Sequence, residues 1–385
     1  MSSKTYVEDT TIEGRRKEIG IKLKRVREML DREGLNALAL TKHSNFSWMT
    51  AGGKSVVTTC VDAGVVTLLI TKDALYAITN IIEERRMRDE EHLEELGFKI
   101  VFQEWYENRT ADIISQIAGD MSKVGTDMPM GSAKVINEKI KPLRYSLTEN
   151  EVCRYQYLGD TLSAALEEYI ATVKPGMTEL EITGGLCEAL WKHNIDQVLY
   201  LVSSDERTCK YRHGIPTGKK LKDHLYISVN GRYKGLITTV TRMVHFGKAD
   251  ETLLKQYDDT CEIECRTIAT FAVGKDDIVA YHACRKAYED LGYGEMWALH
   301  GQGGAQGYDN RDYMVTPSSH GITRPDQCYC YNPVIDGPYG ATKTEDAFIV
   351  TEHGPLFITK PVTFPRIYKE IGGIKFERPG LLVID

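Results

Sequence analysis

The feature that most constrains this chain is a change of pattern near residue 146. Before it, helical and strand periodicities alternate. Ile12, Ile19, Leu23, Val26, Met29 and Leu30 recur at helical spacing over residues 12–33, and Gly34 follows as a helix-ending glycine. Residues 34–41 read as a buried strand, 64–71 and 74–79 as two more with Lys72 and Asp73 in the turn, 82–96 as a charged helix and 99–103 as a strand. Helices alternating with strands predict an α/β unit of about 140 residues. After residue 146 the pattern differs. Ser146 or Thr148 is placed to cap a long helix running to about Val173, which Pro175-Gly176 ends. Thr178 and Glu181 form a capping-box pattern that opens the next helix. From residue 197 short strands dominate, with helices near 251–273 and 276–291. The 385 residues suffice for two domains, 1–145 and 146–385, and periodicity alone makes the second one α+β.

Composition narrows the function classes. The chain is 42% hydrophobic and 27% charged, as ordinary globular proteins are. A net charge of −7 leaves no basic excess to neutralise phosphates, which argues against nucleic-acid binding. The basic runs 15–17 and 22–25 sit beside acids in a helical pattern and read as a solvated face. No apolar run reaches the roughly 18–20 residues that span a bilayer, so no membrane is expected. Met1–Tyr6 carries no apolar stretch of a secretory signal. Nine cysteines, an odd number, suit free thiols in a reducing cytoplasm. Cys328 and Cys330 alternate on one strand face and Cys261 and Cys265 lie one helical turn apart, but neither pair has zinc-ligand spacing with a second half. The run Gly301-Gln302-Gly303-Gly304 lacks the lysine and following helix of a phosphate loop. These observations argue against nucleic-acid, membrane, zinc and nucleotide binding.

Four segments carry a family resemblance. Residues 233–247 hold a turn at Gly235 and the pair Thr241-Arg242; Val173–Glu179 reads VKPGMTE; Leu299-His300-Gly301-Gln302-Gly303 and Glu345-Asp346 followed by Val350-Thr351-Glu352-His353-Gly354 complete the series. In order and spacing they resemble the creatinase/prolidase/methionine-aminopeptidase family, whose strand pair reads D-x-G-x-x-x-x-G-Y-x-x-D-x-T-R-T. The resemblance implies a C-terminal pita-bread fold, helices around a curved antiparallel sheet, with a smaller α/β N-terminal domain. It also implies a homodimer. Asn45-Phe46-Ser47-Trp48 with Thr50-Ala51-Gly52-Gly53 resembles the loop that, in the creatinase-like branch, reaches the partner subunit's active site. Trp48 is the residue expected to cross.

The family's two-metal site uses two aspartates, a histidine and two glutamates, because two close dications need bridging anionic oxygens. Matched motif to motif, the aspartates become Ser228 and Thr239, the histidine is kept as His300, the first glutamate becomes Asn332 before Pro333, and the last is kept as Glu345. Reading the first aspartate at Asn230 instead restores no carboxylate. Four acids fall to one, so no metal is expected.

Creatinase is the metal-free branch. The resemblance therefore implies hydrolysis, without a cofactor, of a C–N bond in a small-molecule substrate of amino-acid-like, amide or guanidino type, with a histidine as proton shuttle, and His213 stands in the corresponding upstream position. The chain departs from creatinase at Thr241, Asn332 and Glu345, which removes the pair of acids that binds its cationic substrate. The expected site has His213, His300 and Glu345 as catalytic groups, with Ser228, Thr239, Thr241 and Asn332 orienting a polar zwitterion or amide. Gly307 replaces a second family histidine, and Tyr308 beside it offers a hydroxyl; Arg311 or Arg324 offers a carboxylate clamp. Two other readings stay open: an Xaa-Pro dipeptidase or aminopeptidase with metals, and a lyase or a non-catalytic binding module on the same fold.

Overall fold

The computed structural model describes residues 7–385. Met1–Tyr6, read above as lacking a secretory signal, lies outside the described residues. Two compact units emerge: residues through Glu151 together with Lys234–Leu236, and Val152–Tyr233 with Ile237–Asp385.

The first unit opens with the helix Ile12–Glu33, capped by the Thr11 hydroxyl and closed by Gly34 at φ 62°, the left-handed conformation a helix-ending glycine supplies. Its six-stranded sheet has the order Phe98–Gln103, Leu75–Asn80, Ala63–Thr71, Ala37–Lys42, Val124–Thr126, Lys134–Val135. The charged helix expected over 82–96 covers Ile81–Asp89. It stops because His92 adopts φ 57°, and Leu93 and Leu96 are buried beyond the break. Residues 45–49 are not a loop. They belong to the helix His43–Met49, whose Asn45 donates to Asp127 Oδ2 at 2.8 Å and accepts from Arg144 Nη1 at 2.8 Å.

The second unit is built around a nine-stranded sheet. Its main path runs Tyr313–Met314, Gly303–Ala305, Gln327–Tyr331, Glu345–Thr351, Leu236–Phe246, His224–Tyr233, Asp196–Ser204. Lys234 (φ 48°) and Gly235 (φ 85°) are both left-handed, as a two-residue hairpin turn requires. Thr178 and Glu181 make the reciprocal bonds of a capping box at the helix Glu179–Trp191. The core against the sheet is aromatic: Phe271, Tyr329, Phe348 and Phe376 are buried, with Phe271 and Tyr329 rings 4.5 Å apart. A Cβ on Gly304 would lie 2.1 Å from the Tyr313 carbonyl oxygen. The glycine run therefore serves close strand packing. Among the described residues, no helix is long and apolar enough to cross a membrane. This is the mixed α/β architecture expected of an N-terminal domain joined to a pita-bread domain.

Candidate active site

The strands of the second unit converge on a cavity of about 220 Å³. Each strand alternates its side chains, so residues two apart share a face. Thr342–Lys343 and Glu345–Thr351 follow one another, which puts Lys343 on the face of Glu345. The register of Glu345 opposite Thr241 places the carboxylate over the next strand.

Glu345 is 2% exposed and its two oxygens are both engaged. Oε2 accepts from the hydroxyls of Ser228 and Thr241, each at 3.2 Å, and Oε1 accepts from Arg311 Nη2 at 3.1 Å. Ser228 and Thr241 also contact each other. Beside them sits a residue that sequence reasoning passed over. The Lys343 ammonium donates to Ser228 Oγ at 2.9 Å and lies 3.5 Å from Glu345 Oε2. Burial lowers the lysine's pKa from its usual value, and Glu345 opposes that shift.

The two histidines line the same cavity, their ring centroids 5.5 Å apart and nearly perpendicular. His213 is exposed, on a loop pinned at both ends. Arg212 makes a bidentate pair with Asp336 at 2.6 Å, and Glu179 accepts from the Thr217 amide and hydroxyl at 3.0 and 2.8 Å. Burial lowers the His213 pKa, and the charge of Lys343 adds to the effect. His300 is held more deeply: burial first, then the charge of Lys343, lowers it to about 2. Both of its ring nitrogens are buried without a hydrogen-bond partner. It is a neutral imidazole with one donor and one acceptor to offer.

Other expected residues fall around this centre. Asn332 lines the cavity, its amide facing the Gly301 and Gln302 carbonyls, to which its nitrogen donates at 2.9 and 2.7 Å. Thr239 lies behind the wall and accepts from Gln306 Nε2 at 2.7 Å. Asn230 lines the cavity, contacts Asn310 Oδ1, and leaves its own Oδ1 buried and unpartnered. Leu199, Leu201 and Met314 supply the apolar part of the wall.

Three expectations are corrected. Tyr308 is buried and accepts from Arg154 Nη1 at 3.3 Å, outside the cavity lining, because the turn after Gly307 directs it into the core. Arg324 is exposed and does not line the cavity; its backbone amide caps to Gln327 Oε1 at 3.0 Å. Trp48 is 0% exposed in the chain, since helix formation over 43–49 turns it inward, and a fully enclosed ring cannot reach a partner.

Residues 154–352 match metallopeptidase family M24. The chain belongs to that family. Over 359 residues it is 21% identical to the uncharacterized peptidase YqhT of Bacillus subtilis (strain 168), covering 88% of this chain and 98% of that one. Its fold superposes on the Xaa-Pro dipeptidase from Bacillus anthracis with a TM-score of 0.76 at 21% identity, covering 95% of this chain and 100% of the other. The prolidase from Pyrococcus horikoshii OT3 gives 0.75 at 18% identity, covering 89% and 98%.

The donor set does not fit the two metals an M24 enzyme implies. One carboxylate, Glu345, stands where two dications need several, and its oxygens already accept from two hydroxyls and a guanidinium. A resident ammonium, Lys343, shares the space. Among the described residues, one grouping of acids and histidine could meet at an ion: Asp276, Asp277 and His320. It lies outside this cavity, and Asp277 Oδ2 is taken by the hydroxyls of Tyr313 and Tyr329 at 2.6 and 3.1 Å.

Proposed function

We propose that this M24 protein is a metal-independent hydrolase of a C–N bond in a small amide-like substrate. One observation carries the reading: the Lys343 ammonium is lodged between Ser228 Oγ and Glu345 at the positions where the family pattern has metal-binding acids. A fixed cation in a partly enclosed site can stabilise the oxyanion that forms as water adds to a carbonyl. Arg311, bonded to the same carboxylate, adds to that field. His213, with its pKa lowered and its ring on the cavity wall, is neutral at pH 7 and available to take the proton of the attacking water. The same imidazolium then returns the proton to the leaving nitrogen. His300 stays neutral throughout this range and positions the substrate by hydrogen bonds from its free nitrogens. Asn332 and Asn230 supply further neutral polar contacts. A cavity of about 220 Å³ lies below the usual range for drug-sized ligands, which supports a compact substrate.

The second reading, an Xaa-Pro metallopeptidase, is favoured by family membership and by the relatives' names. It requires metals that the site's donors do not suit. The resemblance also supports a homodimer, without Trp48 as a bridging residue, and the free cysteines suit a reducing cytoplasm; sedimentation showing only monomer at micromolar concentration removes the dimer.

The deciding test is amine release from a panel of small amides and dipeptides, with elemental analysis of the same preparation. Turnover unaffected by chelator, with no stoichiometric Mn, Co, Zn or Fe, is the expected result. About two metals per chain and chelator-sensitive cleavage of Xaa-Pro dipeptides overturn it. Saturable binding without turnover of any member makes the protein a binding module.

A further inference from the structure

The charges that line the cavity also speak to the substrate. Three charged residues face it: Lys343, Arg311 and Glu345. Two cations and one anion leave a surplus of one positive charge. The single anion is already occupied, since Glu345 accepts from Ser228, Thr241 and Arg311 and lies 3.5 Å from the Lys343 ammonium. No carboxylate is left on this wall to receive an ammonium from a ligand. The unpartnered polar atoms are of a different kind. His300 Nδ1 and Nε2 and Asn230 Oδ1 are buried and unpaired, and all belong to neutral groups. Unpaired buried polar groups are costly and are ordinarily satisfied. A neutral amide, with one N–H and one C=O, answers that need.

We infer that the site takes a compact monoanion whose scissile nitrogen is neutral, namely an N-acyl amino acid with a free carboxylate and no α-ammonium. The inference rests on the hydrolase reading for its chemistry. Water adds to the acyl carbon as the carbonyl π bond opens to a tetrahedral oxyanion, the oxyanion collapses with cleavage of the C–N bond, and the proton taken from water passes to the leaving nitrogen. The products are a carboxylate and a free amino acid, with no oxidant or further reactant. The substrate's own carboxylate sets against the surplus cation, while Asn230 Oδ1 and His300 meet the amide. A free dipeptide brings an α-ammonium into a cavity that is already cationic, and like charges at close range disfavour it.

Calorimetric titration of the purified full-length protein with three matched probes tests this. N-acetylalanine and glycylalanine differ by one ammonium; N-acetylalaninamide lacks the carboxylate. N-acetylalanine is expected to bind at least tenfold more tightly than either. Arg311→Gln should weaken it by roughly 10- to 100-fold, the effect of losing a bond to a charged group, and leave N-acetylalaninamide, which has no carboxylate, little changed. Arg311→Lys, which keeps the charge, should recover part of the loss. Glycylalanine binding as tightly as N-acetylalanine, or none of the three binding, overturns the inference. The wild-type comparison needs no variant to fold. Selectivity in binding reads the substrate class and amine release reads the hydrolase, so each fails separately: tight N-acetylalanine binding without cleavage sinks the reaction and keeps the ligand.

Discussion

Two buried lysines, one in each unit, show how the same charge serves two ends. In the N-terminal unit Lys22 is enclosed by Glu18 at 2.5 Å and Glu151 at 2.8 Å, donates to the Trp48 carbonyl at 2.7 Å, and lies 6.0 Å from that tryptophan's ring centre. Two carboxylates surround one ammonium. In the second unit the ratio is inverted: Lys343 and Arg311 share the single carboxylate of Glu345. Both lysines are almost fully hidden, with side chains 0% and 3% exposed. Burial alone therefore does not separate a structural charge from a functional one. What separates them is whether the surrounding groups outnumber the cation, and whether the remaining field points into packed chain or into a cavity.

The largest expected effect tests that contrast directly. Lys22→Met removes an ammonium buried between Glu18 and Glu151, and breaking a buried ion pair by deleting one member costs about 3–5 kcal/mol. Lys343→Met leaves Glu345 with Arg311, Ser228 and Thr241. Its cost in urea unfolding should be near 1 kcal/mol, while turnover should fall by roughly 10²–10³, the scale for losing a preorganised oxyanion donor. Equal destabilisation by the two changes breaks the comparison.

A smaller effect is read through pH. His300 has a folded-state pKa of about 2 against an ordinary 6.5. Between those values the unfolded chain binds a proton that the native chain refuses. Stability is therefore at full value above pH 6.5 and is lost as pH falls toward 2. At pH 5 the loss through this one group is about 2 kcal/mol, from 1.36 kcal/mol for each unit below 6.5. His300→Gln should flatten the acid limb by that order. Parallel denaturation midpoints for wild type and variant between pH 7 and 5 place the strain elsewhere.

Much of this was legible in the residues. The helix 12–33, the capping box at Thr178 and the turn at Gly235 are local, and local chemistry decides them. The candidate ligand positions followed from motif spacing, and the structure brings Ser228, Thr241, His300, Asn332 and Glu345 into one region together with His213. Lys343 was missed although a signal existed. It stands two residues before Glu345 in an extended stretch, and period-2 alternation puts such neighbours on one face. Asn230 carried a signal too, as a side chain at the glycine position of the D-x-G pattern. Arg311 and Arg324 could not be told apart in sequence, because only tertiary packing sends one to the cavity and the other to solvent. Trp48 went wrong for a related reason: Gly52 and Gly53 suggested a loop, but Asn45 is tied to Asp127 and Arg144, and that buried network holds a helical turn.

The finest test of the comparison keeps the charge and changes only its size. A guanidinium is bulkier than an ammonium. At Lys22 there is no room for it, since the side chain is 0% exposed and is held by Glu18, Glu151 and the Trp48 carbonyl. Forcing extra atoms into such packing typically costs about 1–3 kcal/mol. At Lys343 the extra atoms have a cavity of about 220 Å³ to enter. Lys343→Arg should therefore lie within about 0.5 kcal/mol of wild type in stability, as substitutions free of such crowding do. The difference between the two variants, roughly 1–2 kcal/mol, is read from urea midpoints at a constant slope. Lys343→Arg should also shrink the cavity and weaken binding of N-acetylalanine while holding the metal content unchanged. If Lys22→Arg is tolerated and Lys343→Arg is not, the N-terminal lysine is the one with space around it, and the distinction drawn between the two buried charges is reversed.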